Sequence, residues 1–233
     1  MNSRHRSIPV LATAICIAFL ALSPNLFAQA GKPSKSGGLF ILKIAAGADY
    51  FATTTILLFI KVPLYPQIAC WIETEDGYYI DTIYVTSKAA KRNFLFARAI
   101  GRPEALPVWY HVQRSKPSNI DAVTSATSAS SSEHKSQSFD QLMPGRYFAM
   151  LEVNRSYDYN DQYTKANSGV NGQPSIIYRA EIEVGNTAST GEFVPIGVGS
   201  TNGSDSHIIP GLRGITTALR LIDKAEIKYV ISQ

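Results

Sequence analysis

The stretch Ile176-Ile177-Tyr178-Arg179-Ala180-Glu181-Ile182-Glu183-Val184 decides the fold class. Ile176, Tyr178, Ala180, Ile182 and Val184 fall on one side of an extended chain, with Ile177, Arg179, Glu181 and Glu183 on the other. Successive side chains of a strand point to opposite faces, so this period of two describes a strand with one buried and one wetted face. The segment 225–231 repeats the pattern, with Ala225, Ile227, Tyr229 and Ile231 opposed by Glu226 and Lys228. Strands of this kind fit a two-sheet sandwich, in which each sheet turns one face to a shared core.

Further runs rich in β-branched and aromatic residues occur at 39–45, 53–62, 67–74, 78–86, 146–154 and 193–198, bounded by Gly, Pro, Asn or Asp. Glu75-Asp76-Gly77 lies between two of them, where glycine supplies the positive φ of a short hairpin loop. Within 67–74, Ile68, Cys70 and Ile72 share a face, which makes Cys70 a buried apolar thiol rather than a nucleophile. The run 53–62, containing Ile56, Leu57, Leu58, Phe59 and Ile60, is apolar on both faces and is expected to be a central strand. It is too short to cross lipid as a helix.

Helix signals are few. One helix is expected over 87–99, capped by Ser87 and stopped before Gly101 and Pro103, with Lys88, Lys91, Arg92 and Arg98 on a solvated side. A shorter one is expected over 215–222. Between 112 and 141 the composition turns to Ser, Thr, Lys and Gln, and 157–174 is rich in Asn, Asp, Tyr and Gly. Both are expected to be surface loops. Pro144 and Gly145 suit a turn leading into the strand at Tyr147.

At the amino terminus Arg4, His5 and Arg6 precede an apolar run over 8–22, and Ala28-Gln29-Ala30 follows. That is the three-part pattern of a secretory signal peptide, with cleavage expected after Ala30. Cys16 does not fit a lipoprotein signal, because Ile15 stands where a small residue is needed. The expected organisation is a signal peptide at 1–30 and one exported domain at 31–233, periplasmic or secreted, with no transmembrane segment in the mature chain. Removing Arg4 and Arg6 lowers the basic residues from 22 to 20 against 18 acidic ones, a balance that points away from nucleic acid as a partner. Only Cys70 remains in the mature chain, so no intramolecular disulfide forms even in an oxidising compartment.

Familiar catalytic patterns are missing: no GxSxG elbow, HExxH helix, paired CxxC or phosphate-binding glycine loop is present. This leaves a hydrolase with an unrecognised site as the weakest functional class. His111, His134 and His207 are scattered, so a zinc site made from them needs a coincidence of folding. Asp158, Asn160 and Asp161 offer hard oxygen ligands, but without the glycine and distal glutamate of an EF-hand they are expected to shape Asx turns. Tyr157, Tyr159 and Tyr163 beside them form either an aromatic binding rim or packing over the sheet end.

The most specific motif is Asp121-Ala122-Val123-Thr124-Ser125-Ala126-Thr127. It resembles the flavinylation signature of exported redox proteins, in which a flavin transferase moves FMN from FAD onto a threonine hydroxyl as a phosphoester. The resemblance implies Thr127 as acceptor, with Asp121, Thr124 and Ser125 completing the cofactor-attachment site and Ser125 standing where the family usually has Gly. A turn whose hydroxyls bond local backbone is the alternative.

A broader resemblance rests on residues 66–85, on Arg102-Pro103-Glu104-Ala105-Leu106-Pro107-Val108-Trp109, on the Asp121 motif and on Pro144-Gly145-Arg146-Tyr147. Together they resemble an uncharacterised family of exported bacterial proteins whose domain of unknown function is similar to the immunoglobulin-like part of flagellar hook-capping proteins. Members are often encoded near flavin transferases and PepSY-type membrane proteins. The expected fold is therefore all-β, an immunoglobulin-like β-sandwich with long loops and one or two short helices. The expected function is non-enzymatic, binding an envelope protein partner or contributing to envelope assembly, with no cofactor. The alternative is an extracytoplasmic electron-transfer protein carrying covalent FMN on Thr127, whose partners would be a flavin transferase and a membrane redox protein.

Overall fold

The computed structural model describes residues 38–56, 59–94, 99–115, 124–125, 130–137 and 142–231. The signal peptide expected at 1–30 lies outside them. Thirteen strands are described. Strands β1 (Gly38–Ala46), β7 (Ser132–Gln137), β10 (Ser189–Glu192) and β13 (Ile222–Ile231) make a four-stranded sheet in the order β10-β13-β1-β7. A seven-stranded sheet runs β12 (Ile209–Pro210), β11 (Val194–Val198), β9 (Ile176–Val184), β8 (Gly145–Asn154), β4 (Gln67–Thr74), β5 (Tyr79–Thr86) and β6 (Thr124–Ser125). The all-β sandwich is thus present. No helix among the described residues is long and apolar enough to cross a membrane.

The two sheets meet over one core. From the small sheet come Phe40, Leu42, Ile44, Ala225, Ile227 and Tyr229, and from the large one Ile68, Cys70, Ile72, Leu151, Val153, Tyr178 and Ile182. These are the inward faces that the period of two marked. Cys70 is fully buried among them and burial pushes its thiol pKa up. The hairpin between β4 and β5 also forms as expected: Gly77 takes φ 81°, its N–H reaches the Thr74 carbonyl at 3.0 Å, and the Thr74 N–H reaches that of Tyr78 at 3.0 Å.

A third layer covers part of the outer face of the large sheet. Ala69, Trp71, Val85, Met150 and Ile177 point away from the sandwich core and are buried by Leu106, Val108, Trp109 and Tyr110. Those four belong to a segment that makes a 3₁₀ turn at Pro103–Ala105 and then helix α2 (Pro107–Val112); α1 (Ser87–Ala90) and α3 (Lys165–Ser168) are the other α-helices among the described residues. Pro107 begins α2, where its missing N–H costs nothing and its fixed φ suits the first turn. Because both faces of the large sheet are covered at β4, that strand is buried from Gln67 through Ile72 without alternation, whereas β9 keeps Arg179, Glu181 and Glu183 exposed.

Four expectations are corrected. The run 53–62 is not a central strand: β2 (Ala52–Ile56) and β3 (Ile60–Leu64) form a separate two-stranded sheet, with Thr53 opposite Pro63 and Ile56 opposite Ile60. Pro63 has no N–H to donate to a neighbouring strand, which disfavours an interior position, and Phe59 is 79% exposed. The stretch 112–141 is not all loop, since β7 pairs antiparallel with β1 from Leu39/Gln137 to Ile44/Ser132. Its polar composition is that of an edge strand, with Glu133 at 3.6 Å from Lys43. The helix over 87–99 ends after one turn: Thr86 holds the cap position, and Arg92 takes φ 55°. Over 215–222 only a 3₁₀ turn at Thr217–Arg220 forms before β13 begins.

Candidate functional site

The described part of the flavinylation motif is β6, in which Thr124 and Ser125 pair in parallel with Val85 and Thr86 at the edge of the large sheet. Asp121 and Thr127 lie outside the described residues. The histidines have separate settings: His111 Nε2 is 2.9 Å from the Gly203 carbonyl, His134 stacks on Tyr84 at 3.7 Å between ring centroids, and His207 is exposed. No group of three metal-ligating side chains forms among the described residues. Asn160 makes the expected Asx turn, its Oδ1 accepting the N–H groups of Gln162 and Tyr163. Asp158 does something else. Its buried carboxylate accepts from Arg155 at 2.7 Å and from the Thr217 hydroxyl at 2.6 Å.

That ion pair belongs to a polar network at one end of the sandwich. Arg102 donates from Nε to Glu104 at 3.1 Å, from Nη1 to Ser156 at 2.7 Å and from Nη2 to Asn171 at 2.7 Å. Asn154 donates to the Gln173 carbonyl, while Gln173 accepts from the Thr216 N–H at 2.7 Å. Three charge-assisted or buried bonds therefore fix the plane of the Arg102 guanidinium, whose face lies 5.2 Å from the Phe94 ring centroid.

Beside Arg102 opens the recess that forms the candidate site, a cavity of about 120 Å³. The β2–β3 sheet supplies one wall with Thr54, Val62, Pro63 and Leu64, continued by Tyr65 and Gln67 at the start of β4. Lys88 on α1 and Phe94 supply the second, and Arg102, Ser156 and Tyr157 the third. Tyr157 holds the left-handed conformation at φ 61°, unusual for a bulky residue. Its N–H bonds the Val170 carbonyl at 2.8 Å, which holds the backbone in place while the ring stays 41% exposed at the recess mouth. Tyr159 stands edge-on to it at 6.5 Å. Phe51, half exposed, packs on Tyr65 at 5.3 Å. Of the three tyrosines expected as either rim or packing, Tyr157 lines the recess, Tyr159 is exposed beside it and Tyr163 packs against the core.

A second polar centre is closed to solvent. Glu152 on β8 faces the outer layer and accepts from the Trp109 N–H at 2.7 Å, the Val108 N–H at 3.2 Å and the Ser175 hydroxyl at 2.6 Å. It caps the first turn of α2 from another element. Burial pushes its pKa up to about 7, against the lowering effect of those three donors. Gly199 makes this approach possible, since a Cβ there would stand 2.5 Å from Ser175 Oγ and 2.7 Å from the Pro107 ring.

Lys88, Phe94, Arg102 and Ser156 were not among the site residues legible in the sequence. Lys88 reads as one of several charges on a solvated helix side, and only the approach of the β2–β3 sheet across a gap in sequence makes it part of a cavity wall. Comparison with protein-family models, with curated proteins and with solved structures finds no match for this chain.

Proposed function

We propose that this protein is an exported, non-enzymatic β-sandwich domain that binds a partner protein of the bacterial envelope, and that the recess beside the β2–β3 sheet is its contact surface. The size of the recess carries this reading. About 120 Å³ accommodates a group near the size of one aromatic ring, well below the ~300–1,000 Å³ of sites that enclose a whole ligand or cofactor. Pockets of that size ringed by aromatic side chains are where protein interfaces concentrate binding energy. The chemistry on its walls is that of recognition: the Ser156 hydroxyl is bonded to Arg102, a guanidinium that cannot serve as its base. Export rests on the basic, apolar and small-residue parts of the amino terminus.

A photo-crosslinking residue placed at Tyr157 or Phe51 in the native envelope should give a discrete adduct that the same residue at Lys228, exposed on the small sheet, does not. Adducts from Lys228 alone, or from none of the three, overturn the reading. The exported chain should begin at Gly31, and a chain still starting near Met1 would argue against export by this signal.

A second reading, an electron-transfer protein with FMN on Thr127, is favoured by the edge position of β6, which lies beside α1 at the margin of the large sheet. Coexpression with a flavin transferase should then add one FMN per chain, and Thr127→Ala should abolish the gain. No gain beside a modified control substrate excludes it.

A further inference from the structure

Resting on the binding reading above, we infer that the recess receives the carboxyl-terminal residue of its partner, an apolar side chain carrying a free α-carboxylate. The walls are apolar at Val62, Leu64 and Phe94 and cationic at Lys88 and Arg102, and among the described residues no carboxylate lines the cavity. The two cations differ in what they can offer. Arg102 has its Nε, Nη1 and Nη2 engaged with Glu104, Ser156 and Asn171 respectively, so it supplies a fixed, partly neutralised charge. Lys88 is exposed, and its ammonium makes no hydrogen bond or ion pair with the described residues, leaving three donors for an incoming anion.

An occupant must therefore bring an anion and an apolar body within one side-chain volume. Among the unmodified residues of a polypeptide, only the last has both, because Asp and Glu carry their charge where the apolar body would be. Capture of a terminal carboxylate beside a side-chain pocket is an established mode of peptide recognition. A free acid of one-ring size has few atoms from which to draw affinity, whereas a longer chain leaving the recess passes over the rings of Tyr157 and Phe51.

The test uses dye-labelled hexapeptides ending in Leu or Phe as the free acid, their C-terminal amides, and unlabelled hydrocinnamate, read by fluorescence anisotropy on the exported protein. The acids should bind saturably below about 1 mM, and the amides at least tenfold more weakly. Lys88→Gln, with its melting temperature unchanged, should bring the acids down to the level of the amides and leave the amides where they were. Lys88→Arg should keep most of the difference. Equal binding of acid and amide, no effect of Lys88→Gln, or no saturation by either acid overturns the inference. Hydrocinnamate competing as strongly as the peptides overturns it in favour of a small free acid. Each of these outcomes leaves the rim crosslinks unaffected, whereas failure of the binding reading removes the crosslinks themselves.

Discussion

The two faces of the seven-stranded sheet are buried by different means. On the inner face Ile68, Cys70, Ile72 and Leu151 meet Phe40, Leu42, Ile227 and Tyr229 through apolar contact spread over many side chains. On the outer face Trp71, Met150 and Ile177 meet a short helix whose placement depends on a few buried polar bonds. Glu152 accepts the first N–H groups of α2, and the Trp109 indole donates to the Thr82 hydroxyl at 3.0 Å. Apolar packing degrades gradually as atoms are removed. A polar anchor, once lost, leaves its buried partners without bonds, so the outer layer concentrates its stability in fewer residues.

The comparison can be broken most directly at Trp109, which is buried and carries both kinds of contact. Trp109→Ala should lower stability by about 4 kcal/mol in denaturant unfolding, and a loss under about 1 kcal/mol would mean that the third layer contributes little. Glu152→Ala at pH 5 should cost about 3 kcal/mol, because the N–H groups of Val108 and Trp109 lose their acceptor. The same residue makes the outer layer sensitive to pH. Its folded pKa of about 7 exceeds the ordinary 4.5, so the folded state holds the proton more tightly than the unfolded one. The stabilisation is complete below about 4.5 and is lost as pH rises through 7, amounting to a fall on the order of 3 kcal/mol between pH 5 and 8. Glu152→Gln should flatten that slope, and a slope unchanged in the variant would assign it to other groups.

The inner face should yield the smallest effect. Cys70→Ala removes one sulfur from a core of many contacts and should cost about 1 to 2 kcal/mol. The wild-type thiol, fully buried and with its pKa raised, should react with a thiol reagent only after denaturant is added. Fast labelling of the folded protein would show that the inner layer opens more readily than the outer one.

Much of the inner face is legible in the sequence because it depends on local periodicity. The inward set of β9 and β13, the hairpin turning at Gly77 and the burial of Cys70 all follow from alternation and turn chemistry within fewer than twenty residues. Where apolar character was not periodic, local reasoning misplaced it. The run 53–62 resembles a core strand in composition, yet its described residues are divided between the two paired strands of a separate two-stranded sheet, where Pro63 and a row of threonines stand. Conversely, Ser132–Gln137 has no hydrophobic pattern and becomes a strand only because β1 has an unpaired edge beside it.

The sequence by itself thus determined the class of the fold, most of its strands and the surfaces they turn inward, since a strand's two faces are written in neighbouring residues. Only the tertiary structure decided which layer covers the outer face, what Glu152 holds and where a recess forms. Those features join Lys88, Arg102 and Tyr157, or Val108, Glu152 and Gly199, across long separations in the chain. Their contacts arise from the closure of loops around the finished sheets, which no short-range period encodes.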